Sequence, residues 1–150
     1  KLPETEVNKL ARVGYYHDIG KATLPDELLI RDEFNPEESI EVQQHAVTGY
    51  RILNLFDETL DLAEYVYGHH EQWDGSGHPR GLVGEEIPLI SRIIAICESY
   101  ERALYRGDNT TPQVEKAKEV IRNGAGSRFD PKLSKVFLEM IKVSDTSAKS

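Results

Sequence analysis

Apolar residues recur at helical rather than alternating spacing along almost the whole chain. Val7, Leu10, Ala11 and Gly14 form one such stripe and predict a helix over residues 3–16, with Gly20 placed to end it in the left-handed conformation. A single turn of helix is expected over 25–30. Asn35, Pro36 and Glu38 then supply an N-cap, a first-turn proline and a capping-box acid. The helix they open is expected to reach Phe56 and to bury Ile40, Val47, Ile52 and Leu53, and the next, over 58–70, to bury Leu62, Ala63, Val66 and Tyr67. Residues 74–88 read DGSGHPRGLVGEEIP, and four glycines and two prolines in that span forbid a regular element. A long functional loop is expected there. Helical spacing returns over 89–105. Pro112 behind Thr111 and Pro131 behind Asp130 are expected to open two more helices. No repeat and no strand pattern is present. The fold is predicted to be an all-α bundle spanning 1–143, followed by a disordered tail over 144–150.

Composition narrows the function. The 150 residues are 39% hydrophobic, enough for one core. No apolar run approaches the roughly 18 residues that cross a bilayer. A net charge of -8, from 26 acidic and 18 basic side chains, argues against a surface for nucleic-acid polymers. The lone Cys97 excludes an internal disulfide framework and a cysteine-rich zinc module, and it fits a reducing cytoplasm. The first residue is Lys1 and no signal pattern precedes the first amphipathic stretch, so a piece of a longer polypeptide is expected.

Histidine changes the picture. His17 is followed by Asp18 at the end of the first predicted helix, His45 lies in a later one, and His69 and His70 adjoin the Gly-rich loop. Glu98 follows on the helix after that loop. Singly, each has an ordinary reading: a histidine at a helix end caps carbonyls or faces solvent. Together they offer four imidazoles and two carboxylates from four helices, a donor set suited to zinc, manganese or iron. Neighbours on a helix point about 100° apart. The doublets therefore reach two cations roughly 3.5–4 Å apart, or one member binds metal while the other serves the substrate. Asp18 has two oxygens with which to bridge.

The segments HDIGK at 17–21, PDELL at 25–29, HHEQWDGSGHPRGLVGEEIPLISRI at 69–93 and FDP at 129–131 resemble the HD-GYP domain, a branch of the HD-superfamily phosphohydrolases. The resemblance covers about 10–140. It implies an all-α bundle with a bi- or trinuclear centre of divalent metal, iron or manganese before zinc, nickel or magnesium. It further implies hydrolysis of cyclic di-GMP or cyclic GMP-AMP through a metal-activated hydroxide. His17, Asp18, His45, His69, His70 and Glu98 match metal-ligand positions, and Lys21 matches the lysine beside the substrate phosphate. The implied catalytic residues are Lys21 and Asp18. Lys21, Gly75, Gly77 and Arg106 are the implied substrate contacts. An upstream sensory or receiver domain, a GGDEF-type partner at the loop and a homodimer are the implied partners.

Four positions depart from the family pattern. Its GYP reads Gly77-His78-Pro79, with His78 expected at a partner surface rather than on a metal. The usual aspartates are Glu98 and Glu101. The cations that grip dinucleotide phosphates are missing from 105–109, leaving Arg106, Arg92 or Arg80 to substitute. The chain also starts after the helix that carries an upstream ligand. These departures keep open a catalytically weakened module that binds ligands or proteins. The bare HD signature keeps open a hydrolase of other phosphorylated small molecules, although simpler HD enzymes lack the long loop.

Overall fold

The computed structural model describes residues 2–29, 43–105 and 112–147, and they form helices joined by turns and one long loop. Among the described residues, β pairing is confined to two isolated bridges, Asp74 with Val83 and Ala125 with Phe129. The predicted all-α class is the one observed.

Helix α1, Glu4–Tyr16, carries Glu4 and Glu6 in its first turn, where negative charge complements the helix dipole. Its neighbours meet it along Leu10, Val13 and Tyr16, so Val7 and Ala11 of the predicted stripe face outward. Gly20 does not end this helix in a left-handed conformation. It lies inside a 3-10 turn, Ile19–Thr23, that follows the His17–Asp18 corner. A Cβ on Gly20 would stand 1.9 Å from the carbonyl oxygen of His45. The missing side chain therefore lets the turn rest directly on a later helix.

A single turn, α2, spans Asp26–Leu29, and α3 spans His45–Leu53. The predicted cap at Asn35, Pro36 and Glu38, together with Ile40, lies outside the described residues. Helix α3 stops at Leu53 rather than Phe56: Val47 and Ile52 are half-buried, Leu53 is buried, and Leu55 and Phe56 are exposed. Over 58–70 the single predicted helix is a 3-10 segment, Asp57–Leu62, running into α4, Ala63–Tyr67. The Thr59 hydroxyl donates to the carbonyls of Leu53 and Phe56 at 2.7 and 3.2 Å, holding this tighter winding. His69 and His70 follow in the turn beyond α4.

Helix α5, Leu89–Leu104, separates two apolar clusters. Ile90 and Ile94 pack with Val13, Leu53, Leu62, Ala63 and Val66 on one side. Ile96 packs with Ile121 and Phe129 on the other. Burying each such side chain contributes about 1.5–3 kcal/mol, so α5 is clamped from both faces.

Helix α6 spans Val114–Gly124 and α7 spans Pro131–Ser147. Asp130 Oδ1 accepts from the amides of Lys132 and Leu133 at 2.8 and 3.2 Å, as its place before Pro131 predicts. Pro112 instead lies two residues ahead of α6, and Thr111 lies outside the described residues. Helix is found over 144–147, where the loss of apolar residues predicts a tail.

The Gly-rich loop is ordered by its own polar groups. Glu71 is buried, and its two carboxylate oxygens accept from the amides of Arg80 at 2.7 Å and Leu82 at 2.9 Å. The amides of Trp73 and Asp74 donate to the carbonyls of Arg128 and Ser127, at 3.1 and 2.9 Å. Gly77 lies against the backbone of Glu71 and Gln72, where a Cβ would meet the Gln72 nitrogen at 2.2 Å.

Candidate metal centre

Local backbone contacts set three of the imidazoles in place. His17 follows the last turn of α1, and its Nδ1 lies 2.7 Å from the carbonyl oxygen of Gly14. His69 repeats this arrangement after α4, with Nδ1 2.5 Å from the carbonyl oxygen of Val66. A carbonyl only accepts, so in both rings Nδ1 carries the proton and Nε2 presents its lone pair. His45, at the start of α3, is buried where the Gly20 turn rests on its backbone.

These devices bring six side chains together. One ligand atom from each of His45, His69 and His70 falls within 4.8 Å of the other two. His17, Asp18 and Glu98 form a second set within the same 4.8 Å limit. In the first set, His45 Nε2 lies 3.3 Å from His69 Nε2 and 3.0 Å from His70 Nε2. Asp18 joins the sets: its Oδ1 is 3.3 Å from His45 Nε2 and its Oδ2 is 3.6 Å from His17 Nε2. Lys21 Nζ donates to Asp18 Oδ2 at 2.7 Å.

The arrangement fits divalent cations. Asp18 Oδ1 is buried and has no hydrogen-bond partner. Such a buried carboxylate oxygen, set among ring nitrogens, is one that a cation stabilises. The tautomers of His17 and His69 are fixed by backbone carbonyls, as metal-ligating histidines require. Burial pushes the His69 imidazole down to about 3. Burial, with His69 and His45 beside it, holds His70 well below the ordinary histidine value. Burial alone would raise the Asp18 carboxyl, but contacts from His45 and Lys21 outweigh it and keep Asp18 well below the usual carboxylate range. Neutral imidazole and ionised carboxylate are the forms that bind metal.

A cleft of about 380 Å³ opens beside His69, His70 and Glu98, with Ser76 and His78 also in its wall; His17, Asp18, Lys21 and His45 are not among its lining residues. His78 stacks on His70, ring centroids 5.1 Å apart at 22°. Gly75 and Gly77 do not line the cleft. Gly75 holds a left-handed turn at φ 84°, and Gly77 makes the backbone approach described above. Arg106 lies outside the described residues. Arg92 is paired with Asp130 at 2.7 Å and Arg80 with Glu64 at 3.1 Å, so neither alternative cation faces the histidines.

Two residues of the site are absent from the predicted set. Arg102 donates to Glu98, a pairing legible in the four-residue spacing along one helix. Arg128 reaches the cleft through the backbone bridge to Trp73, which no local pattern signals.

A family model described as "HD domain" matches residues 1–133. The chain is 35% identical to a probable cyclic di-GMP phosphodiesterase of Vibrio cholerae, over 91% of this chain and 33% of that protein. It is also 35% identical to a cyclic di-GMP phosphodiesterase of Thermotoga maritima, over 94% of this chain and 39% of the relative. It therefore spans between about a third and two fifths of the length of these relatives. The crystal structure of a cyclic GMP-AMP specific phosphodiesterase of V. cholerae superposes with a TM-score of 0.72 at 20% identity, covering 95% of this chain and 40% of that one. This last likeness concerns the fold.

Proposed function

The chain belongs to the HD domain family, and from that premise we propose that it is a metal-dependent phosphodiesterase acting on a cyclic dinucleotide, cyclic di-GMP or cyclic GMP-AMP. The observation that carries the reading is the meeting of two ligand triads through Asp18, beside a cleft that His69, His70 and Glu98 line. The named activities of the relatives supply the substrate class.

His45, His69 and His70 would hold one cation and His17, Asp18 and Glu98 another, with Asp18 between them. Iron and manganese suit these mixed nitrogen and oxygen donors, and two or three ions are the proposed nuclearity. Bound there, the metal supplies Lewis acidity toward phosphate oxygens and a nucleophile at neutral pH. The chain does the rest. Lys21 fixes Asp18 through the 2.7 Å contact and adds positive charge where negative charge develops on the phosphate. Gly14 and Val66 aim two imidazoles through their carbonyls. Glu71 holds the loop that walls the cleft. A cleft of about 380 Å³ is ample for part of a dinucleotide, since small-molecule sites run from about 300 Å³ upward.

The test is turnover by anaerobically prepared, metal-reconstituted protein, with metal content measured on the same sample. The expected product is the linear dinucleotide. A fully loaded protein that cleaves neither cyclic dinucleotide overturns the proposal. The ion pair between Arg102 and Glu98 favours a second reading, a weakened module that binds ligand without turnover, because it engages a proposed ligand. Metal content below one ion per chain after reconstitution would support that reading. Either way the reading places the domain in cytoplasmic signalling, under a sensory or receiver domain, with a GGDEF-type partner at the His78 loop or a second copy as the expected contacts.

A further inference from the structure

The cleft is also lined by groups that the chemistry above leaves unused. Besides the histidines, its ionisable lining groups are Glu71, Glu98, Arg102 and Arg128. Glu71 already receives two loop amides, and Glu98 belongs to the second ligand triad. The cations that line the cleft are therefore Arg102 and Arg128. Both meet the same face of α5. Arg102 donates to Glu98 one turn back, and Arg128 Nη2 lies 3.4 Å from the hydroxyl of Ser99. Four residues of helix set Arg102 about 6 Å along the axis from Glu98. The bridge from the Trp73 amide to the Arg128 carbonyl, at 3.1 Å, fixes the second arginine against the loop. Guanidinium forks match phosphate oxygens two at a time.

We propose that Arg102 and Arg128 form an anion subsite beside the ligand triads, which takes the second phosphate of a substrate whose first phosphate lies at the histidines. The proposal rests on the phosphodiesterase reading and specifies its substrate class: a diester with two phosphates, in preference to one with a single phosphate.

The test uses the metal-loaded protein and its Arg102→Ala, Arg128→Ala, Arg102→Lys and Arg128→Lys variants, with metal content measured for each. Cyclic di-GMP carries two phosphates, and bis(p-nitrophenyl) phosphate carries one. Each alanine variant is expected to raise the ratio of the two KM values, dinucleotide over aryl diester, by about tenfold, with lysine restoring part of it. Equal shifts for both substrates at unchanged metal content overturn the subsite. Calorimetric titration with linear pGpG and with GMP needs no turnover and separates this proposal from the activity it rests on. Binding of pGpG about tenfold tighter than GMP, lost in both alanine variants, supports the subsite even where neither diester is cleaved. Equal affinity for the two overturns it.

Discussion

His69 is placed where protonation is excluded. Its folded value of about 3 lies below the ordinary 6.5 because burial disfavours the charged ring. Between those values the unfolded chain binds a proton that the fold rejects. The stability of the metal-free protein is therefore complete above pH 6.5 and falls as pH drops through that window. Urea denaturation at pH 7 and pH 5 measures the loss, and equal midpoints would refute it. Lys21 supplies the second prediction at this scale. Its ammonium holds Asp18, and under the proposed function it adds positive charge beside the substrate phosphate. Lys21→Ala is expected to lower kcat by about 10²–10³, comparable to removing one transition-state donor, with a smaller change in KM. Steady-state kinetics at constant metal content decide it. At this scale the sequence was informative: His17, Asp18, His45, His69, His70 and Glu98 fall into two compact groups. Glu71 and Arg128 were not legible, because their partners are backbone groups brought near only by the folded loop.

At the scale of elements, periodicity located helices better than it located their ends. Helix α1 stands where its apolar spacing predicts although it packs on Leu10, Val13 and Tyr16, helix α5 spans the predicted stretch, and Asp130 with Pro131 marks the start of α7. Boundaries failed where side-chain to backbone bonds compete with helix, as Thr59 does in breaking one predicted helix into a 3-10 segment and α4. Gly20 was misjudged for a related reason. A glycine's role depends on what it touches, and this one touches the backbone of α3. Gly20→Ala would force the turn off α3, costing about 1–3 kcal/mol as overpacking does and pulling Asp18 away from His45. Thermal denaturation and a metal titration test both halves of that expectation. Unchanged metal affinity would show that the turn does not set Asp18 in place.

Across the whole molecule, the six donors come from four separated stretches: the corner after α1, the start of α3, the turn after α4, and α5. A ligand that joins them couples segments that lie far apart along the chain. With free metal at 100 times its Kd the gain is about 2.7 kcal/mol. Chelation is therefore expected to lower Tm by roughly 5–10 °C in a domain of this size. Calorimetry with and without chelator measures it, and no shift would mean that the triads hold no ion. The two rings steered by carbonyls carry a consequence for how such a site drifts over generations. Every amino acid offers the same carbonyl, so the groups that aim His17 and His69 are indifferent to which residue stands at 14 or 66. A Cβ at Gly14 would meet Ile94 at 3.6 Å, an ordinary contact. The aim of the ligands is thus inherited with the course of the main chain: a small side chain at 14 leaves the bearing of His17 intact, while Val66 is held to its type by the core and not by the ring it steers.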